Sequence, residues 1–276
     1  MVLDFKNKDK YNVDDLIEIV KRLRAPDGCP WDKVQTHKSI RKDFIEEVYE
    51  AVEAIDEDDV PHLREELGDV LFQVVFHSVI ESENGNFDFS DITDEVSRKM
   101  ILRHPHVFGE IEVETTEQVL SNWDAIKMQT HSQTTVSETM ESVSKTLPSL
   151  MRAEKLVKKS ARGGVECSDK DEAFELIEEK LARLKNVSEK DDAAANEKAM
   201  GELLFSIANL SGLLKTDSEQ SLYNACEDHI ARFRRYEDIA AEKGLNIQDS
   251  DTEVTNQLWK EIINQEKLEE KKNEQI

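Results

Sequence analysis

A helix can be read directly from LREELGDVLFQVVF, residues 63–76. Leu63, Leu67, Val70, Leu71, Val74 and Val75 recur at spacings of three and four, the mark of one helical face. Upstream, Ile45, Val48, Val52 and Ile55 form a second such stripe, and Leu16, Ile19, Val20 and Leu23 a third. Downstream, Asn84 to Asn86 read as a turn, and Ser90 or Asp91 as the N-cap of a fourth helix running to about Arg103. His104-Pro105-His106 then ends it, because proline disfavours helical geometry in the residue before it. Nine Gly and five Pro are too few punctuators for a β fold of many turns. The expected class is all-α.

The same run has a second copy. Leu67-Gly-Asp-Val-Leu-Phe72 is matched by Met200-Gly-Glu-Leu-Leu-Phe205, and Glu46-Glu-Val-Tyr-Glu50, more weakly, by Glu178-Glu-Lys-Leu-Ala182. Late in each half a tryptophan follows acidic and polar residues, at Trp123 and Trp259. The simplest reading is two tandem copies of one helical bundle; convergent amphipathic patterning competes with it, and Gly and Phe at matched offsets favour duplication. Between the copies, QTHSQTTVSETMESVSKT at 129–146 reads as a polar linker with room for a helical part. The expected domains are residues 1–128 and 147–276, and QEKLEEKKNEQI at 265–276 reads as a solvated helix end.

Charge excludes several partners. With 36 basic and 60 acidic residues the formal charge is −24, which repels a phosphate backbone, so no nucleic-acid partner is expected. No stretch approaches the roughly 20 apolar residues that cross a bilayer, and the first fifteen residues lack an apolar signal core. Cys29, Cys167 and Cys226 are far apart and form no Cys-x-x-Cys pair, which fits a reducing cytoplasm and excludes a thiolate zinc site.

The chemistry lies in carboxylates. Glu47 and Glu50 stand three apart, as do Glu66 and Asp69, so each pair shares one face of its helix. Facing each other, the two pairs would make an oxygen cage suited to Mg²⁺, with Mn²⁺ as a substitute, rather than to zinc or copper. Spacing alone is weak evidence: in so acidic a chain, three acids at fixed offsets arise by chance roughly three times. Context adds weight, because Asp69 is the only charged residue within Leu67–Phe76 and an ionised carboxylate among apolar residues needs a cation or hydrogen bonds. A salt bridge to Arg64 or Lys42 would also satisfy it. Gly68 beside it suggests close packing or approach of a ligand.

These residues fall in an ordered set: GCPWD at 28–32, Gln35-Thr36, Ser39-Ile40, EEVYE at 46–50, ELGDVLFQ at 66–73 and RHPHVF at 103–108. The set resembles the MazG family of nucleoside triphosphate pyrophosphohydrolases, some of whose members carry two tandem MazG domains. The resemblance implies an all-α homodimer that cleaves nucleoside triphosphates to the monophosphate and pyrophosphate with Mg²⁺. Carried over by position, the ligands are Glu47, Glu50, Glu66 and Asp69, and Glu46 orients the attacking water or holds a second ion. Lys99 and Arg103 match positions that contact the triphosphate, and Trp31 and Trp123 match or lie near positions associated with the nucleotide. As plain residues, the two cations could equally be a solvated helix face and the two indoles core; His77, His104 and His106 read as packing or turn residues.

In the second half, aligning Gly68 with Gly201 and Glu47 with Glu179 puts Ala182 in place of Glu50, Ala199 in place of Glu66 and Glu202 in place of Asp69. Lys99 corresponds to Asp228, although Arg232 and Trp259 persist. That copy is expected to hold metal poorly. Two other readings were open: a di-iron bundle, which lacks its Glu-x-x-His pairs here because Asp59-x-x-His62 contains Pro61 and reads as a loop, and a non-catalytic nucleotide-binding or oligomerisation module.

Overall fold

The computed structural model describes residues 8–130, 135–165, 167–248 and 250–273, and every regular element among them is a helix. The chain forms two compact units, Met1–Lys127 and Met128–Ile276.

The first unit is organised around one long helix. Its elements are α1 (Val13–Arg24), a 3₁₀ turn at Asp32–Val34, α2 (Arg41–Asp56), α3 (Val60–Asn84), α4 (Phe89–Arg103), α5 (Pro105–Phe108) and α6 (Thr116–Thr130). Helices α1, α2 and α4 all pack on α3. The core joins Val20 of α1 and Ile40 to Val75, Phe76, Val79 and Ile80 of α3, with Leu16, Ile17, Leu71, Phe72 and Phe89 around them. Gly85 ends α3 at φ 74°, a left-handed cap that suits glycine. Asp88, rather than Ser90 or Asp91, caps α4: its extended backbone lets its carboxylate accept from the amides of both those residues, while Asp91 reaches back to the Asp88 amide.

The second stripe is helical but faces outward. Ile45, Val48, Val52 and Ile55 are exposed on α2, and the residues it buries are Ala51 and Ala54. Small side chains at those positions let α2 lie close to α3. Periodicity had located the helix and could not say which side meets a neighbour.

The segment leading into α2 is tied down by Arg24. Its nearly buried guanidinium pairs with Glu83 through two contacts of 2.8–2.9 Å and donates to the carbonyls of Asp32 (2.8 Å) and Gln35 (3.1 Å). It also lies over the Phe76 ring, 5.1 Å from its centre. Gly28 is required where this segment leaves α1, since a Cβ there would sit 2.3 Å from the Leu23 carbonyl oxygen. Gly68 is different: a Cβ on it meets nothing within 4 Å, so close packing is not its reason.

The second unit comprises α7 (Val136–Glu141), α8 (Ser149–Arg162), α9 (Lys170–Ser188), α10 (Ala193–Leu214), α11 (Ser218–Glu242) and α12 (Thr252–Asn273). Helix α10 packs on α8 and α9, and α11 on α8 and α12. Of the polar stretch 129–146, residues 131–134 lie outside the described residues; the rest holds α7, with Thr139 and Val143 buried and α7 packed on α8. The Glu154 carboxylate links α8 to its neighbours by accepting from the Ser211 hydroxyl (3.1 Å) and from the Ser218 amide and hydroxyl (2.7 Å each). Within 265–276, α12 continues to Asn273 and residues 274–276 lie outside the described residues, as do residues 1–7 of the N-terminal stretch. No helix among the described residues is long and apolar enough to cross a membrane.

The two glycines predict opposite outcomes. Gly28→Ala should destabilise the chain by about 1–3 kcal/mol, because the backbone must shift to admit the methyl group. Gly68→Ala should stabilise it by about 1 kcal/mol through helix propensity alone. Thermal denaturation of both variants checks this.

Candidate metal centre

The centre starts at the turn between α2 and α3. Asp58 adopts φ 54° there, and the Asp59 side chain accepts from the His62 amide at 3.0 Å, capping α3. Pro61 falls in the first helical turn, where its missing N–H forfeits no hydrogen bond. His62 is therefore helical and not in a loop, and one turn later its Nε2 stands 3.1 Å from Oε1 of Glu66. The signal was present in the sequence as a His–Glu pair four apart, hidden by reading Pro61 as a break.

Glu66 and Asp69 of α3 then meet Glu47 of α2. One carboxylate oxygen from each of the three lies within 4.8 Å of the others. Glu66 is only 7 % exposed, and its Oε2 is buried with no hydrogen-bond partner. Glu47 is half-buried and Asp69 exposed, the reverse of the burial expected for Asp69, because the apolar contacts of α3 concentrate around Val75–Ile80. Burial first, and then the charges of Asp69, Glu50, Glu66 and Glu46, push the Glu47 pKa above the usual carboxylate range.

A buried, unpartnered carboxylate oxygen beside two further acids is what a hard divalent cation would satisfy, and an oxygen-only donor set suits such an ion. Glu50 and Glu46 lie outside the trio. Both are exposed and line a surface groove with Lys42, Ile45, Tyr49 and Glu53, and Lys42 pairs with Glu46 at 3.5 Å rather than with Asp69.

The remaining candidates divide into two sets. Arg103, the last residue of α4, is 8 % exposed, with its guanidinium 5.3 Å from the centre of the Trp123 ring. His104 meets the same indole edge-on at 4.9 Å, and its Nδ1 lies 2.6 Å from the Met100 carbonyl. Lys99 and Trp31 stand in solvent, Trp31 being 57 % exposed.

A histidine pair adjoins the entrance to α2. Nδ1 of His37 and Nδ1 of His77 face each other at 2.6 Å, the rings stack, and Nε2 of His37 lies 2.5 Å from Glu81. Burial and the nearby His37 lower the His77 pKa. His77 is thus the hydrogen-bonded packing residue expected, but its partner comes from a loop forty residues away, which no local pattern could reveal.

At the aligned positions of the second unit, the acids have cationic partners. Arg183 pairs with Glu202, Lys180 pairs with Glu179 at 2.9 Å, and Ala199 is buried where the first unit has Glu66. Arg232 pairs with Glu266 at 2.6 Å, and Trp259 packs among His229, Phe233 and Tyr236.

Residues 35–108 match the MazG nucleotide pyrophosphohydrolase domain. Over 259 residues, 92 % of this chain and 98 % of the relative, the sequence is 39 % identical to the nucleoside triphosphate pyrophosphohydrolase of Escherichia coli strain K12. The chain belongs to the MazG family. It is also 37 % identical over 246 residues to the nucleoside triphosphate pyrophosphohydrolase/pyrophosphatase MazG of Thermotoga maritima, covering 89 % of this chain and 93 % of that one. The uncharacterized protein YabN of Bacillus subtilis is 39 % identical over 244 residues, 88 % of this chain and 50 % of its own. In this MazG chain the matched segment contains Glu47, Glu66, Asp69, Lys99 and Arg103, whereas Trp31 and Trp123 lie outside it.

The raised pKa of Glu47 has a testable sign. A carboxyl group whose pKa rises on folding costs nothing while protonated, and the cost appears as pH rises through that elevated pKa. The contribution of Glu47 to the stability of the metal-free protein should therefore fall as pH increases from the acid side of the carboxylate range toward neutrality, against the opposite trend of carboxylates such as Glu81, Asp88 and Glu154, whose pKa values folding lowers. Glu47→Gln should remove part of this loss and also reduce the Tm increase caused by Mn²⁺ at pH 7, measured by thermal denaturation with and without the ion.

Proposed function

We propose that this MazG chain hydrolyses nucleoside triphosphates to nucleoside monophosphate and pyrophosphate in its first unit. Glu47, Glu66 and Asp69 would hold Mg²⁺ or, as a substitute, Mn²⁺, with Glu50, one turn along α2 from Glu47, as the fourth ligand. The observation that carries this reading is the buried Oε2 of Glu66, unpartnered within the chain and belonging to a carboxylate grouped with two others. The names of the Escherichia coli and Thermotoga maritima relatives support the same reaction.

The chain's own residues have distinct tasks. The three carboxylates fix where a cation sits, and bound there the ion contributes neutralisation of phosphate charge and acidification of water. Glu46, exposed and paired with Lys42, would orient the attacking water. Water adds at one phosphorus and gives up a proton to solvent, the bond from that phosphorus to the oxygen bridging the α and β phosphates breaks, and the bridging oxygen leaves with the other phosphate, so that the two products carry away the negative charge. Lys99 and Arg103 meet the triphosphate, Arg103 with its plane held over Trp123. Trp31 offers an exposed ring on which a base can stack.

The second unit, residues 147–276 in the tandem reading, keeps the scaffold without the metal site. Glu202 paired to Arg183 and Glu179 to Lys180 support this reading, since both aligned acids already have cationic partners. A non-catalytic role in binding or assembly suits this unit. The exposed apolar stripe Ile45, Val48, Val52 and Ile55 of α2 would be covered in a homodimer. Three free cysteines and the absence of a membrane-spanning helix among the described residues fit a cytoplasmic setting.

Glu66→Ala and Asp69→Ala in the full chain should each lower pyrophosphate release by about 10²-fold or more while leaving the helical circular dichroism unchanged. Glu202→Ala should leave the rate within about twofold. Wild-type rates in both first-unit variants would remove the carboxylates from the mechanism.

A further inference from the structure

A second buried polar group on α3 lacks a partner. Gln73 is 6 % exposed, and its Oε1 is buried with no hydrogen bond from the chain. Buried amides are nearly always satisfied, so an orphaned one requires a reason beyond packing.

Its place along the helix supplies one. Glu66, Asp69, Gln73, His77, Glu81 and Asn84 follow one another at spacings of three or four, so they form a single polar seam down α3. The neighbours of this seam show which way it faces. At one level Glu66 and Asp69 meet Glu47 of α2; farther along, His77 packs against Phe44 of α2, with ring centres 5.5 Å apart, and against His37. Gln73 lies midway, four residues from Asp69 and four from His77, which puts it about 6 Å along the axis from each. Toward Asn84 the seam is satisfied from within, since Glu81 takes its bonds from His37, Asn84 and Asn86. The two orphaned oxygens, those of Glu66 and Gln73, therefore lie on the same stripe about two turns apart.

We infer that Gln73 is a specificity-determining residue whose amide hydrogen-bonds the nucleoside part of the triphosphate held at the carboxylate centre. This rests on the hydrolase reading above and extends it from the phosphates to the sugar or base. The amide offers both an acceptor and two donors, so it can read a ribose hydroxyl or a base edge. A ligand that brings a cation to Glu66 and a polar group about two turns farther along α3 satisfies both orphaned atoms at once.

The test is steady-state pyrophosphate release by the full chain with Mg²⁺ across the four ribonucleoside and four deoxyribonucleoside triphosphates. Gln73→Met keeps the volume and removes the hydrogen bonds. It should raise KM for the preferred nucleotide roughly five- to tenfold with little change in kcat, and compress the preference over the others. Compression between ribose and deoxyribose assigns the contact to the sugar, and compression among bases assigns it to the base. Gln73→Glu keeps acceptor oxygens but loses the donors; it should shift the preference in a different direction and serves if the Met variant does not fold. Mn²⁺ affinity measured by calorimetry without nucleotide should stay within about twofold of wild type in both variants, separating this role from metal binding.

Unchanged KM values across the panel in an active enzyme would overturn the assignment and leave the hydrolase reading standing. A uniform fall in kcat for every nucleotide together with a lower Tm would overturn it in favour of packing. Wild-type protein that releases no pyrophosphate from any of the eight would remove both readings together.

Discussion

Repulsion among close carboxylates is the constraint around which the first unit is arranged. Three carboxylate oxygens within 4.8 Å oppose one another by on the order of 3 kcal/mol per pair at an effective dielectric of about 20, less on the solvent side of Asp69. No basic side chain is paired with Asp69 or Glu47 among the described residues; Glu66 has only His62 beside it. The fold maintains this arrangement because Ala51 and Ala54 let α2 approach α3, while the core around Phe76 fixes α3 from its other side. A proton on Glu47 or a divalent cation relieves the repulsion, so ion binding and folding stability are linked in this unit.

The second unit solves the same problem internally. Helices α9 and α10 repeat the pairing of α2 with α3, but Arg183 and Lys180 supply positive charge where the first unit leaves it to be provided from outside. The replacement of Glu66 by Ala199 removes the buried acid altogether, and the buried oxygen left without a partner on α10 is that of a neutral amide, Asn196 Oδ1. Similar helix pairs therefore carry either a cluster of acids without cationic partners among the described residues or acids already paired with cations, and few side chains separate the two. This is consistent with stability depending on the apolar contacts while chemistry depends on charges placed over them.

Elsewhere in the first unit, several of the other candidate groups are held by contacts of their own. Arg24 fastens the carbonyls of Asp32 and Gln35 to α1 and to Glu83, which limits how far the stretch carrying Trp31 can move. His37 docks on His77 and Glu81, anchoring the entry to α2 on α3. Trp123 and His104 restrain Arg103 at the end of α4. Arg24 with Glu83, His37 with His77 and Arg103 with Trp123 join residues distant in sequence, which limits the freedom of these side chains.

What was legible in the chain was whatever repeats at short range. The apolar stripe of the helix at 60–84 and the spacing of Glu66 and Asp69 follow from periodicity, and the similar run Met200–Phe205 lies on the helix at 193–214, because a helix sets its neighbours by local geometry. The cap of α4 was legible to within three residues, as the shift from Ser90 or Asp91 to Asp88 shows, since several polar residues can compete for one amide. Tertiary structure alone decided which face of α2 is covered, that Glu66 rather than Asp69 is the buried acid, that His37 reaches His77, and that Arg183 neutralises Glu202. Those outcomes depend on approach between elements far apart in sequence, and an element's own pattern specifies its apolar positions without specifying which neighbour will reach them.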